Sequence, residues 1–498
     1  YSPYTNQVFL TQLSAEDCGI FQEKLFKFPG FYIQRRTIRQ YNYNAGAHIL
    51  GDIAEVSKEE MEDDDYYLPG DFIGKLGVER SYEKQLRGEK GVEVLLRDAH
   101  GRIQGNYMDG KFDKAPVPGK NLTLSLDIEL QMLGERLLEG KIGSIVAIEP
   151  STGEVLCLVS SPTYDPSLMI GRNRGKNHIE LSKDPWKPLL NRAIMGTYPP
   201  GSTFKTTQAL TFLQEGIITT GTMYPCSGGF SYRGLHVGCH AHPSPLALIP
   251  AIATSCNGYF CWGLYHMIGA RQKYGSVQKA MNTWRDYMVS MGFGYQLGID
   301  LPGEKRGMIP NAQFYDKAYR RSWNGLTIIS IAIGQGEVTA TPLQIANLGA
   351  TIANRGYFVT PHVVKEIEGE PIDSIYTPRR YTKVDKSHYD EVVQGMRSAV
   401  LGGTCRVANI PELEVCGKTG TAQNHGKDHS AFMGFAPMNN PKIAIAVYVE
   451  NGGWGATYGV PIGRLMIEKY LTGKLTEEDE ALATDIQNRR IDYGLQER

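Results

Sequence analysis

The sequence predicts an α/β chain of two domains, and three observations carry that prediction. A length of 498 residues exceeds what one hydrophobic core ordinarily serves. A Pro- and Gly-rich break, Ala115-Pro116-Val117-Pro118-Gly119-Lys120, separates stretches of different texture. Beyond it, runs with strand alternation and runs with helical spacing follow one another closely. We therefore expect an N-terminal domain over residues 1–117 and a large α/β domain over residues 118–498.

Each element has a local reason. Before the break, short β-like runs such as Phe31-Tyr32-Ile33-Gln34 alternate with turns at Gly70-Asp71-Phe72-Ile73-Gly74 and Leu86-Arg87-Gly88. The acidic run Glu59 to Asp65 reads as a solvated loop or helix face. This texture predicts an extended, mostly β or irregular support domain. After the break, Leu122-Thr123-Leu124-Ser125-Leu126 alternates like a strand. Asp127 is placed to cap a helix carrying Leu130, Leu133, Leu137 and Leu138. Gly143 to Ile148 and Glu154 to Val159 read as strands joined by the turn Pro150-Ser151-Thr152-Gly153. Ala431 to Pro437 and Lys442 to Val449 read as two more, and the segment around Lys418 caps or forms an edge strand beside them.

Composition excludes some functions. With 41% hydrophobic and 21% charged residues the chain reads as globular. Its formal net charge of -1 argues against a nucleic-acid partner, which selects a basic surplus. No apolar run approaches the length that crosses a bilayer. The chain begins with Tyr1 rather than Met, so an upstream signal or anchor removed by processing or cloning is expected.

Chemistry concentrates in three strings. In Pro199-Pro200-Gly201-Ser202-Thr203-Phe204-Lys205, Ser202 lies at the start of a helix expected over Thr203 to Leu213. Free backbone N–H groups and the positive helix end favour developing negative charge there. Lys205 lies one turn on, on the same face, so its amine can reach the serine hydroxyl. A serine needs a base to become a nucleophile, and a lysine serves only when neutral. Burial or a neighbouring cation provides that, and Lys418 is the candidate cation, with the Asn257 amide orienting Lys205. The second string is Ser255-Cys256-Asn257 and the third Lys418-Thr419-Gly420-Thr421. Ser-x-x-Lys alone is weak; the three in this order are the signature of enzymes that open amides through a serine ester.

On these residues the chain resembles the class B penicillin-binding proteins of the elongation type, the penicillin-binding protein 2 group. Asn191-Arg192-Ala193, Ile333-Gly334-Gln335-Gly336 and Thr339 to Gln344 extend the likeness, and Gly77 to Glu83 with Leu86-Arg87-Gly88 resembles the family's non-catalytic pedestal. The resemblance implies an antiparallel sheet flanked by helices behind that pedestal. It implies a peptidoglycan D,D-transpeptidase in which Ser202 attacks the D-Ala-D-Ala amide of a stem peptide and a second stem's amine resolves the ester into a crosslink. Ser202 and Thr421 N–H groups form the oxyanion hole on this reading, and Ser255 passes a proton to the leaving amine. Lys418, Thr419 and Thr421 bind the substrate carboxylate on the Gly420 strand. β-Lactams trap the ester, and no cofactor serves the chemistry. The partners implied are a membrane glycosyltransferase and elongation scaffold proteins, with the bulk of the chain periplasmic and held by an N-terminal membrane helix.

Four of the eight cysteines crowd between Cys226 and Cys261. Cys226 and Cys239 bracket a hairpin-like loop, His240 and His242 follow, and Cys256 lies inside the second motif. Such donors fit tetrahedral zinc. By resemblance to elongation-type members the ligands are Cys226, Cys239, His242 and Cys256, with His240 the alternative to His242. A Cys226–Cys239 disulfide is the competing reading. Cys405 and Cys416 are placed to pair, while Cys18, Cys157 and Cys261 read as buried apolar residues. Rival functions are a division-type transpeptidase, a β-lactam hydrolase, a carboxypeptidase and a β-lactam sensor. The length of the N-terminal region and Ser255-Cys256-Asn257 count against the hydrolase.

Overall fold

The computed structural model describes residues 7–495 apart from Gln12 and Arg36; Tyr1, the first residue of the chain, lies outside them. The chain forms two compact units. One holds the residues up to Thr123 together with Tyr164–Asp184 and Glu366–Pro371; the other holds Leu124–Thr163, Pro185–Lys365 and the remainder from Ile372. The division thus falls at Thr123 rather than at 117/118, and two later segments return to the first unit. Side-chain chemistry explains one return: Arg174 Nε donates to the buried Asp52 carboxylate at 3.0 Å. Lys120 pairs with Glu370 in the other.

The first unit is assembled from short pieces. Strand Ile53–Glu55 pairs with Phe72–Gly74, and Leu95–Arg97 with Ile103–Asn106. Helices are more frequent than the texture suggests: Ala15–Lys24, Lys58–Asp63, Gly77–Ser81 and Glu83–Arg87. Among the described residues Phe31 to Gln34 forms no strand; the Phe31 N–H instead bonds Phe28 O at 3.1 Å, and the Phe31 and Tyr32 rings stay exposed. The acidic run falls largely on Lys58–Asp63, which buries no residue and starts with a Ser57–Glu60 capping box. Cys18 is only half-buried, because helix Ala15–Lys24 buries none of its side chains.

The second unit is a five-stranded antiparallel sheet between helices. Its strands are β1 (Gly143–Ile148), β2 (Val155–Ser161), β3 (Cys416–Ala422), β4 (His429–Ala436) and β5 (Ile443–Val449), in the order β3-β4-β5-β1-β2. β1, β2, β4 and β5 are buried along their whole length, so both faces must be covered. On one face the cross-strand neighbours Ile145, Val447 and Phe432 pack with Leu130, Leu133 and Leu137 of α1 (Ile128–Leu137). Asp127 caps α1 through the N–H groups of Glu129 and Leu130, as its position predicts.

The other helices complete the layers. Among them are α2 (Lys205–Gln214), α3 (Asn257–Gly269), α4 (Pro342–Ala353), α5 (Lys386–Leu401) and α6 (Gly459–Thr472). Val460, Leu465 and Met466 of α6 join the Phe432 face. α4, buried at every residue, covers the opposite face, where Gly349 lies against Met433 and Ala444. The Phe432 ring fills space that Gly417, Gly434 and Gly463 leave: a Cβ at any of them would lie within 2.6 Å of it. Phe432→Ala should therefore cost about 3–5 kcal/mol, measured as a lowered urea midpoint at constant slope. A loss below about 1 kcal/mol would show that the ring does not organise this layer.

Candidate active site

The nucleophile turn and the edge strand meet through glycine. Gly201–Phe204 form one 3-10 turn that runs into α2. Gly201 has φ +59°, and a Cβ there would lie 2.8 Å from the Thr421 carbonyl. Gly420 lies on β3, where a Cβ would come within 2.9 Å of Ala431 and 3.0 Å of Thr203. Two residues without side chains thus let the end of β3 lie directly on the Ser202 turn. Ser202 is half-buried, and among the described residues no hydrogen bond engages its hydroxyl.

Lys205 is fully buried on the first turn of α2. Its ammonium donates to Ser255 O at 2.7 Å, Ser255 Oγ at 3.2 Å and Asn257 Oδ1 at 2.6 Å. The bond from Lys205 to Ser202 expected from their spacing is therefore not formed: all three donors are taken by the second motif. Lys418, equally buried, donates to Ser255 Oγ at 2.7 Å and to Thr419 O at 3.2 Å. One hydroxyl thus lies between two amines.

The electrostatics follow from that burial. Desolvation holds the Lys205 amine down at about 8. Lys418 is pushed well below its ordinary value, first by burial and then by the Lys205 charge. Of the two causes the sequence offers, burial or a neighbouring cation, burial is the larger for Lys205. Loss of water comes first, and the two buried ammonium groups repel each other, so the pair holds its second proton weakly.

The middle motif is bent to serve this arrangement. Ser255 adopts a left-handed conformation, φ +57°, which costs a non-glycine residue about 1–3 kcal/mol and is held only by its surroundings. That bend turns both its carbonyl and its hydroxyl to Lys205. Asn257 starts α3, and its side-chain N–H donates to Gly238 O at 2.8 Å, which aims its oxygen at Lys205.

Thr419 and Thr421 lie on β3 but have protein partners. Thr419 donates to the Thr404 hydroxyl at 2.9 Å, and Thr421 Oγ1 accepts the Gly455 N–H at 3.3 Å. Thr404, Gly238 and Gly455 are site residues that the motifs do not reveal. The only signals were glycine clusters, at Gly402-Gly403 and Gly452-Gly453, which mark tight turns without saying what they meet.

The cysteine cluster touches the same motif. Cys226 Sγ, Cys239 Sγ, Cys256 Sγ and a His242 ring nitrogen all lie within 4.8 Å of one another. His242 Nε2 is 3.4 Å from Cys239 Sγ, and its Nδ1 faces Pro243 O at 2.8 Å. His240 approaches Cys239 only at 4.0 Å. Bonds of ~2.3 Å to sulfur give a tetrahedron with edges of about 3.8 Å, so this soft donor set suits a structural zinc ion in size and chemistry. Cys226 comes close because Gly258 has no Cβ; one there would lie 2.9 Å from its sulfur. A hydrogen bond from Cys256 draws the Cys239 thiol well below its ordinary value. The Asn257 N–H also points at that sulfur, at 3.3 Å. All eight cysteines are free, Cys405 and Cys416 among them; both are buried, Cys416 as the first residue of β3, and they are not bonded to each other, while Cys157 and Cys261 are buried as expected.

The chain is similar to known proteins over most of its length. Residues 143–468 match the penicillin binding protein transpeptidase domain, and residues 1–124 match the penicillin-binding protein dimerisation domain. The chain is 37% identical over 473 residues to the peptidoglycan D,D-transpeptidase MrdA of Acinetobacter baumannii, covering 89% of this chain and 68% of that one. Its identity to the MrdA of Escherichia coli K12 is 28%, over 93% of this chain and 76% of the other. Among solved structures it is similar to Pseudomonas aeruginosa PBP2 in complex with WCK 5153, with a TM-score of 0.74 at 33% identity, covering 89% of this chain and 93% of that one. The PBP2 of Helicobacter pylori in complex with MreC gives a TM-score of 0.78 at 28% identity, over 93% and 84% of the two chains. With both domains matched and the three motifs gathered around one buried lysine pair, the chain belongs to the class B penicillin-binding proteins, in the penicillin-binding protein 2 group.

Proposed function

We propose that the chain is a peptidoglycan D,D-transpeptidase of the elongation type, with Ser202 as its nucleophile. The observation that carries this reading is the buried Lys205–Ser255–Lys418 array beside a serine hydroxyl that has no partner of its own among the described residues. Ser202 Oγ bonds to the carbonyl carbon of the penultimate D-Ala, and its proton passes to neutral Lys205. The tetrahedral oxyanion is held by the Ser202 and Thr421 N–H groups. The C–N bond then breaks, and the departing D-Ala amine takes a proton relayed through Ser255 from the lysine pair. An amine of a second stem peptide then attacks the ester carbonyl; its proton passes through Lys205 to Ser202 Oγ as the ester C–O bond breaks, which frees Ser202 and forms the crosslink. Lys418, with the hydroxyls of Thr419 and Thr421, receives the substrate carboxylate at the Gly420 strand.

The setting follows from the substrate. We propose that the chain works in the periplasm, held to the cytoplasmic membrane, because peptidoglycan stem peptides are met there. The H. pylori relative solved with MreC supports an elongation scaffold as partner. A similar structure, at 29% identity and a TM-score of 0.78, described as coordinating polymerization and crosslinking in a peptidoglycan synthase complex, supports a glycan polymerase as another. β-Lactams are the expected inhibitors.

Cys226, Cys239, His242 and Cys256 would hold zinc. Four protein ligands leave no position for water, so such an ion supplies structural tethering and no Lewis acid. The ligand Cys256 lies between Ser255 and Asn257, and the hairpin that carries Cys239 also carries Gly238, the Asn257 partner. Fixing these sulfurs fixes both residues that hold Lys205.

Three outcomes are expected. Intact mass spectrometry with penicillin should show a single adduct that Ser202→Ala abolishes; an adduct surviving in that variant would remove Ser202 from the mechanism. The acylation rate should rise with pH to a plateau above about 8, because the neutral form of Lys205 falls off about tenfold per pH unit below its pKa. A flat profile from pH ~6 to ~9 would exclude Lys205 as the base. Protein purified without chelator should carry about one zinc per chain, lost in Cys239→Ser. Absence of zinc with a mass lighter by two hydrogens would instead establish a disulfide.

A further inference from the structure

A tyrosine outside every motif contacts both flanks of the nucleophile turn. Tyr198 opens the stretch Tyr198-Pro199-Pro200-Gly201 that leads into Ser202. Its backbone is pinned on one side, where its N–H and carbonyl both bond Ala340, at 2.9 and 2.8 Å. Its side chain is pinned on another. The ring stacks on Tyr448 of β5 with centroids 4.4 Å apart, and its hydroxyl donates to Glu450 Oε1 at 2.7 Å. The Arg192 guanidinium lies 3.8 Å from the same carboxylate oxygen, so that oxygen is fixed from two directions. Tyr448 in turn donates its hydroxyl to the Pro199 carbonyl at 3.2 Å. Tyr198 and Tyr448 pack with Ala422 and Ala431, and Ala422 is the last residue of β3.

These contacts tie two parts of the site to one fixture. The turn that carries Ser202 and the strand end that carries Thr421 both lean on the Tyr198–Tyr448 pair. Neither ring needs to meet substrate to do this. Their two hydroxyls do not fill space that the rings leave; they set direction, one toward a carboxylate on β5's end and one toward the carbonyl that enters the turn. An oxyanion site depends on such direction, because its N–H donors act only at the position where charge develops. A displacement of about 1 Å in a reacting group can cost about a hundredfold in rate.

We infer that Tyr198 is a positioning residue, which through Glu450 and Tyr448 holds the Ser202 turn in register with the end of β3. The inference rests on the transpeptidase reading above and adds to it a residue that touches neither substrate nor lysine. Tyr198→Phe and Tyr448→Phe test it, since each keeps the ring and the stack and deletes one hydroxyl. Stopped-flow acylation by a chromogenic β-lactam separates the steps. In each variant the acylation rate constant should fall about tenfold, while the dissociation constant of the preceding non-covalent complex stays within about twofold. The thermal midpoint should stay within about 2 °C of wild type. The limb near pH ~8 should keep its position with a lowered plateau, because Lys205 retains its partners.

Equal acylation rates in wild type and both variants would overturn the inference. So would a loss of binding and rate together with a fallen thermal midpoint, which marks a merely structural contact. Wild type and Ser202→Ala run alongside: failure of the wild type to acylate at Ser202 would defeat the transpeptidase reading itself, a result separate from either of these.

Discussion

Two buried lysine amines share one serine hydroxyl, and the rest of the site is arranged around that fact. Lys205 and Lys418 are both fully buried, and both donate to Ser255 Oγ. An isolated ammonium is costly to bury, and two together are costlier. The structure meets the cost with acceptors: the Ser255 carbonyl, the Asn257 amide oxygen and the Thr419 carbonyl. What those acceptors do not offset appears as a lowered proton affinity, and that is the property a lysine base requires. The stability penalty and the reactivity thus have a common origin in desolvation.

Holding this array demands rigid support from three directions. The sheet supplies β3, an edge strand whose free side remains open to the nucleophile turn. Glycine at positions 201 and 420 closes the remaining gap, since side chains there would collide with backbone or with Thr203. α2 supplies Lys205 and α3 supplies Asn257, each from its first turn, where the backbone is fixed by the helix behind it. Between them Ser255 is kept in a backbone conformation it would not choose alone. Strain at that residue is retained because its carbonyl and hydroxyl both find the same amine.

The cysteine cluster adds a support that acts from outside the catalytic pocket. It surrounds Cys256, the residue whose two neighbours meet Lys205, and it grips the Gly238–Cys239 end of a small hairpin, Gly229–Tyr232 with Leu235–Gly238. A backbone N–H of Asn257 points at one of its sulfurs while the Asn257 side chain bonds the hairpin's last carbonyl. A metal held by these donors, as proposed, would constrain orientation more than it adds contact area, which suits a site whose chemistry depends on placement.

The sequence by itself determined the chemistry and most of the local structure. Ser-x-x-Lys at a helix start, the capping Asp127, the β1–β2 turn and the crowding of Cys226, Cys239 and Cys256 with two histidines were legible because each depends on short spacing or residue type, whereas the choice of His242 over His240 came from family resemblance. Periodicity also placed β4 and β5, since long apolar runs buried on both faces leave little choice. It could not place the helices of the first unit, which bury little and so carry weak pattern, nor the return of Tyr164–Asp184 to that unit. Only tertiary structure decided which partners the lysines take, why the Lys205 amine is held down at about 8, and that Thr404, Gly238, Gly455 and Tyr198 belong to the site. Those facts rest on burial and on direction across long stretches of chain. Spacing along a sequence encodes which side chains share a helix face, but not how much water surrounds them or what the next element brings beside them.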